Sequence, residues 1–130
     1  MGATQKWQMR SRVEDRKARK AAAEANWREV CRLVTIRDGH RCRVTGQRCD
    51  PHAIDMLQRG EHHHIVFRSA GGEDATANVI LVTKQVHDDI HAGRLRVDGN
   101  ADEAITVWKR NDEDGWYQVC RETPQGVERD

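Results

Sequence analysis

Five of the seven histidines fall within thirty residues: His62, His63, His64, His87 and His91. Imidazole both ligates divalent metals and changes its protonation near neutral pH, so such clustering points to a metal centre, to acid–base chemistry, or to both. His87 and His91 stand four apart in a segment that reads as a helix, which puts both rings on one face, one turn apart, within reach of a single ion. His63 and His64 are adjacent in a predicted strand, where successive side chains point to opposite sides. They are therefore expected to divide the work rather than share it.

The elements that must carry these residues read strand, loop, strand, helix: His64-Ile65-Val66-Phe67, then Ser69 to Asp74 with Gly71-Gly72, then Val79 to Thr83, then Lys84 to His91. Upstream, Ala21, Ala22 and Ala23 are strong helix formers. Trp27, Val30, Cys31 and Val34 recur at helical intervals, predicting one buried stripe on a helix that ends at Asp38-Gly39. From Arg10 to Lys20 only Val13 interrupts the charges, so frayed helix or disorder is expected. Cys42 to Gly46 reads as a short strand and turn. Asp50-Pro51 reads as a helix start, with Ala53, Ile54 and Leu57 facing inward. Leu95 to Val97 predicts a strand, Asp98 to Asn100 a turn, and Ile105 to Lys109 a further strand. Asn111 to Gly115 closes a hairpin with a return strand, Trp116 to Cys120, and Trp108 and Trp116 are expected to pair across it or cover the core. The expected class is α+β. Its organisation is a basic arm (1–20), one domain (21–123) and a frayed tail after Thr123-Pro124 (124–130).

Glu61-His-His-His-Ile65, Arg68-Ser-Ala-Gly-Gly72, Asn78-Val-Ile-Leu81 and His87-Asp-Asp-Ile-His91 together resemble the HNH, or ββα-metal, nucleases, over roughly Asp38 to Val97. The resemblance implies a ββα-metal core, here with a basic N-terminal helix and a C-terminal β-hairpin. It makes His63, His87 and His91 the metal ligands and His64 the general base, and gives Asn78 the task of holding the loop that orients the base. His62 matches no family role and is expected to be an exposed neighbour. Many members of the family also carry a zinc ribbon built from two Cys-x-x-Cys pairs. Here Thr45 stands three residues after Cys42, and Thr83 and Val86 occupy the positions of the second pair. A structural zinc site is therefore not expected, and packing of the Trp27 helix and the C-terminal hairpin should take its place.

The activity implied is metal-dependent hydrolysis of DNA phosphodiester bonds, nicking or cutting duplex DNA to leave 5′-phosphate and 3′-hydroxyl ends. One divalent ion, magnesium, manganese, nickel or zinc, would act as Lewis acid while His64 takes the proton of an in-line water. Arg68, directly after the first strand, and Arg94, just past the helix, are placed to clamp a phosphate; Arg59 is a weaker candidate. The alternative is a non-catalytic module that binds metal and nucleic acid on the same scaffold. Binding alone requires neither a general base nor an asparagine to position it, so His64 and Asn78 favour the enzyme.

Over 130 residues, 22 Lys+Arg against 21 Asp+Glu give a net charge of +1 that conceals an asymmetry. Residues 1–43 hold 12 basic and 5 acidic side chains, a balance of +7, and residues 44–130 hold the remaining 10 and 16, a balance of −6. A basic arm of this kind can follow a polyanion, because each phosphate it neutralises releases condensed counterions. Taken alone, such a charge run is either a solvated tail or a polyanion-binding segment; double-stranded DNA as the partner is what the resemblance to the ββα-metal nucleases implies. No apolar run is long enough for a bilayer span or a secretory signal, so no membrane partner is expected. A cytoplasmic setting, in a bacterial or phage-infected cell, and a monomer or homodimer are the corresponding expectations, with the four cysteines reduced.

Overall fold

The computed structural model describes residues 3–112 and 115–129. A 35-residue helix, α1 (Ala3–Arg37), leads through an irregular segment to a hairpin of β1 (Gly60–His64) and β2 (Val79–Thr83). The hairpin runs directly into α2 (Lys84–His91). An antiparallel meander follows: β3 (Leu95–Asn100), β4 (Ala104–Asn111), β5 (Gly115–Thr123) and β6 (Gly126–Arg129). Two helices and two antiparallel sheets make the chain α+β. No helix among the described residues is long and apolar enough to cross a membrane.

The core forms around β2. Val79, Ile80, Leu81 and Val82 are all fully buried, as expected of a continuous apolar run covered on both faces. Val30 and Val34 of α1 pack against it, with Val86 and Ile90 of α2 and Val97, Ile105, Val107 and Cys120 of the meander. Thr83 ends the strand and starts the helix, its Oγ1 accepting the Val86 N–H at 3.2 Å. A cap of this type is worth about 1 kcal/mol. Thr83 and Val86 thus serve as helix cap and core.

A buried carboxylate holds the junction between α1 and the sheets. Asp38, whose side chain is 2% exposed, accepts from Arg37 at 2.8 and 3.1 Å, from Arg43 at 3.0 Å and from the Leu81 N–H at 3.0 Å. Arg37 also reaches the carbonyls of Thr76 and Val79, each at 2.6 Å, while Arg43 pairs with both oxygens of Glu122 on β5. Cys42, Cys49 and Cys120 lie buried as free thiols, and burial pushes the Cys49 thiol up to about 11.

Several segments depart from the sequence expectations. Helix α1 begins at Ala3 rather than at the alanines, because residues docked at 26–37 nucleate a helix that Arg, Lys, Ala, Gln and Glu then propagate at little cost per residue. No helix forms after Pro51. Asp50 accepts the His52 N–H at 2.8 Å and Asp55 the Leu57 N–H at 2.9 Å, giving local turns instead. Bonds from Asp50 N to Gln58 O and from Gly60 N to Asp50 O close the excursion, leaving Ile54 (97% exposed) and Leu57 (78%) in solvent. Residues 41–48 contribute a single bridge, Arg41 to Arg48, and a turn.

Strand β1 ends at His64 instead of starting there, since the Asn78 side chain takes over the pairing of Val66. Strand β3 runs on through Asn100, so its turn falls at 101–103. The tail forms β6 on β5, and Arg129 donates to the Val44 carbonyl at 3.0 Å. Trp108 and Trp116 neither pair nor enter the core: their partners are Gln118 and Arg110, and the Arg96 guanidinium lies 5.6 and 5.4 Å from their rings. The predicted 111–115 hairpin includes residues 113 and 114, which lie outside the described residues, as do residues 1 and 2 of the arm and residue 130 of the tail.

Candidate metal centre

Strand β1 sends alternate side chains to its two helices. Glu61 and His63 face α2; His62 and His64 face α1. On the α2 side, ring centroids lie 5.5 Å apart for His63 and His87, 5.7 Å for His63 and His91, and 4.4 Å for His87 and His91. One nitrogen from each of the three lies within 4.8 Å of the others, the only grouping of three potential ligands among the described residues that could hold a metal ion.

The protonation states suit ligation. Burial, and then the nearby His87, His91 and His64, pushes the His63 imidazole down to about 3, so it stays neutral with a free lone pair. Glu61 lies 2.5 Å from His87 Nδ1, which fixes the proton on that nitrogen and leaves Nε2 facing inward. Burial also lowers the His87 pKa, against the pull of Glu61. The Nε2 atoms of His87 and His91 are 3.0 Å apart, close to the separation of two imidazole nitrogens each about 2.0–2.1 Å from one ion. A carboxylate on the far nitrogen of a ligating histidine is the usual means of orienting it. Phe67 completes the wall, stacked on His91 at 5.2 Å and edge-on to His63 at 5.7 Å. The residues present fit a divalent ion bound through His63, His87 and His91.

His64 is held quite differently. Its ring stacks on Trp27 of α1 at 4.8 Å, and its Nε2 lies 2.7 Å from Asp74 Oδ1. A carboxylate accepts, so in the neutral ring the proton sits on Nε2 and the lone pair on Nδ1. Asp74 also accepts from Arg68 at 2.8 and 3.0 Å, and that guanidinium, with His64, holds its carboxyl below the usual carboxylate range. The Arg68 guanidinium lies 4.6 Å from the Trp27 ring. His63, His64, Arg68, His87 and His91 line one cavity of about 350 Å³.

The Asn78 side chain ties the two ends of the loop between the strands together. Its Oδ1 accepts the Val66 N–H at 2.8 Å, and its Nδ2 donates to the carbonyls of Val66 and Glu73, both at 3.0 Å, closing the loop between the strands. Gly72 permits that closure: a Cβ there would lie 1.7 Å from the Val66 carbonyl oxygen.

Two placements differ from the sequence reading. Arg94 is not brought to the histidines: the turn through Gly93 carries it past α2, where it donates to Asp89 at 2.9 Å and lines a separate cavity with Val86 and Lys109. His62 is half-buried rather than an exposed neighbour, hydrogen-bonded to Thr35 Oγ1 at 2.8 Å and edge-on to Trp27. Sequence reasoning assigned no site role to Glu61, Asp74, Trp27 or Phe67. Only Glu61 left a usable signal, standing two residues before His63 and so on the same strand face. No family model matches the chain, and neither curated proteins nor solved structures yield a match, so its reading rests on this geometry.

Proposed function

We propose that the chain is a metal-dependent endonuclease of the ββα-metal type, hydrolysing phosphodiester bonds of duplex DNA to 5′-phosphate and 3′-hydroxyl ends. One observation carries the proposal: three imidazoles converge on one point, while a further one, His64, lines the same cavity outside that group with its own carboxylate. A domain that used metal only for folding would have no need of the fourth.

A divalent ion at His63, His87 and His91 would supply Lewis-acid stabilisation of the phosphate and of the departing 3′ oxygen. The chain's own residues do the rest. His64, with Nε2–H held by Asp74, presents Nδ1 to accept a proton from water attacking in line, a contribution typically worth about 10² to 10⁴ in rate. Trp27 fixes the ring plane, and Asn78 fixes the loop from which Arg68 reaches the cavity and Asp74 reaches His64. Three neutral ligands leave cationic charge uncompensated, so the centre favours an anionic group such as a phosphate. That phosphate would compete with Asp74 for the Arg68 guanidinium.

The test is conversion of supercoiled plasmid by metal-stripped protein resupplied in turn with magnesium, manganese, nickel and zinc, with His64→Ala alongside. Wild type should cut with at least one ion, and His64→Ala should bind that ion without cutting. A folded, metal-loaded wild type that cuts with none would overturn the proposal in favour of a binding module. One site per chain predicts nicked circles before linear product.

A further inference from the structure

Helix α1 is far longer than its contact with the rest of the protein. It packs on β2 and the 76–78 turn. Asn26, which donates to the Asp74 carbonyl, and Trp27 are the first of its residues in the contacts described above. Residues 3–25 extend beyond that point, about 35 Å of helix at 1.5 Å per residue. No ion pair among the described residues involves a side chain between Lys6 and Ala25.

The charges on this overhang are sorted by face. Stepping back from Trp27 by 7, 8, 11 and 15 residues, the helical repeat reaches Lys20, Arg19, Arg16 and Arg12. Lys6, Arg10 and Lys17 flank them. The acids Glu14 and Asp15 are turned away, and Glu24 sits at the edge. The face that is apolar where α1 meets the body is therefore basic where it leaves the body. The change falls at Trp27, whose ring touches both His64 and Arg68 of the metal cavity.

We propose that this overhang is a backbone-tracking arm: its Arg12, Arg16, Arg19 and Lys20 face lies along the sugar–phosphate backbone of the duplex that continues outward from the histidine cavity. This rests on the nuclease reading for the phosphate at the cavity. Three observations favour a polyanion over other occupants. The face carries four exposed cations and no acid at its centre; among the described side chains it offers only Met9 and Val13 as large apolar ones, too few for a helix–helix seam; and its length matches one duplex turn of about 34 Å. Such contacts position the duplex and carry no sequence information.

The experiment measures binding of a 30-base-pair duplex to the full chain, without added metal, from 50 to 200 mM salt. Three proteins are compared: wild type; R12Q/R16Q/R19Q/K20Q; and that variant with E14K/D15K, which restores the net charge on the opposite face. Gln and Lys keep the helix, which circular dichroism verifies. Losing four phosphate contacts should flatten the log–log salt slope by about 3 to 4, so that the salt-induced loss of affinity over this range shrinks roughly a hundredfold. The charge-restored variant should stay flattened. Hydrolysis of bis(p-nitrophenyl) phosphate by the metal-loaded quadruple variant should equal wild type while plasmid cleavage falls.

An unchanged slope in the quadruple variant, or recovery in the charge-restored one, overturns the proposal. So does a quadruple variant that loses self-association in sedimentation while keeping its duplex slope, which would assign the face to a second copy. A wild type that binds duplex through this face yet cleaves neither substrate would sink the nuclease reading and leave the arm standing.

Discussion

On one face of β1, His63 looks toward α2; on the other, one residue later, His64 looks toward α1. Both are imidazoles on the same strand at the rim of the same cavity. His63 is 2% exposed among two other imidazoles, with burial pressing it neutral, and the carboxylate on its side, Glu61, is taken up by His87. His64 lies on an indole and has a carboxylate of its own. Identical side chains acquire separate surroundings because the pleat delivers them to separate neighbours, and the proposed function assigns one as ligand and the other as base. A ligand needs an unprotonated nitrogen among other ligands, and a base needs a fixed tautomer beside them.

The comparison is most sharply broken at His63. His63→Ala should abolish both metal retention and plasmid cleavage, read by metal analysis after gel filtration and by the plasmid assay; retained metal would remove it from the ligand set. Next in size, His64→Ala should lower cleavage by about 10² to 10⁴ with metal affinity unchanged. Loss of metal in that variant would mean that the two faces are not separate. Glu61→Gln should weaken metal affinity by about 10- to 100-fold, as loss of a group orienting a ligand does, with little change at saturating metal. Asp74→Asn should act on the other face alone, lowering kcat and altering its pH profile while calorimetric metal affinity stays at the wild-type value.

The smallest effect is on stability against pH in metal-free protein. His63 is depressed from an ordinary value near 6.5 to about 3, so between those limits the unfolded chain binds the proton that the folded chain refuses. Its contribution is full above about 6.5 and is lost as pH falls toward 3. Urea titrations should show a steeper acid decline for wild type than for His63→Gln, whereas parallel curves would place His63 in a wetter setting.

The α2 face of β1 was more legible in the sequence than the α1 face. His87 and His91 are local partners, four apart on a helix, Lys84 to His91, that directly follows the apolar run of β2. Asn78 was singled out through the resemblance to the ββα-metal nucleases, and it stands where the apolar run of β2 begins. The Asp74 contact to His64 was not legible. Asp74 read as one more polar loop residue, and what carries it to the histidine is the closure of the 65–78 loop by Asn78 around Gly72. Arg94 misled for the converse reason: nearness in sequence to His91 says nothing about where a turn through Gly93 sends the chain.

By itself the sequence determined what depends on neighbours within one or two turns: the apolar run of β2, the pairing of His87 with His91, and the segregation of basic residues into the first third. Tertiary structure alone decided where β1 begins and ends, which carboxylate serves which histidine, that residues 51–58 stay unwound, and that 126–129 form an edge strand. Each of these rests on hydrogen bonds or packing between residues far apart in the chain, as with Arg129 on Val44, Arg43 on Glu122 and Trp27 on His64. Local propensity does not encode such pairings; they exist only once the core has brought the segments together.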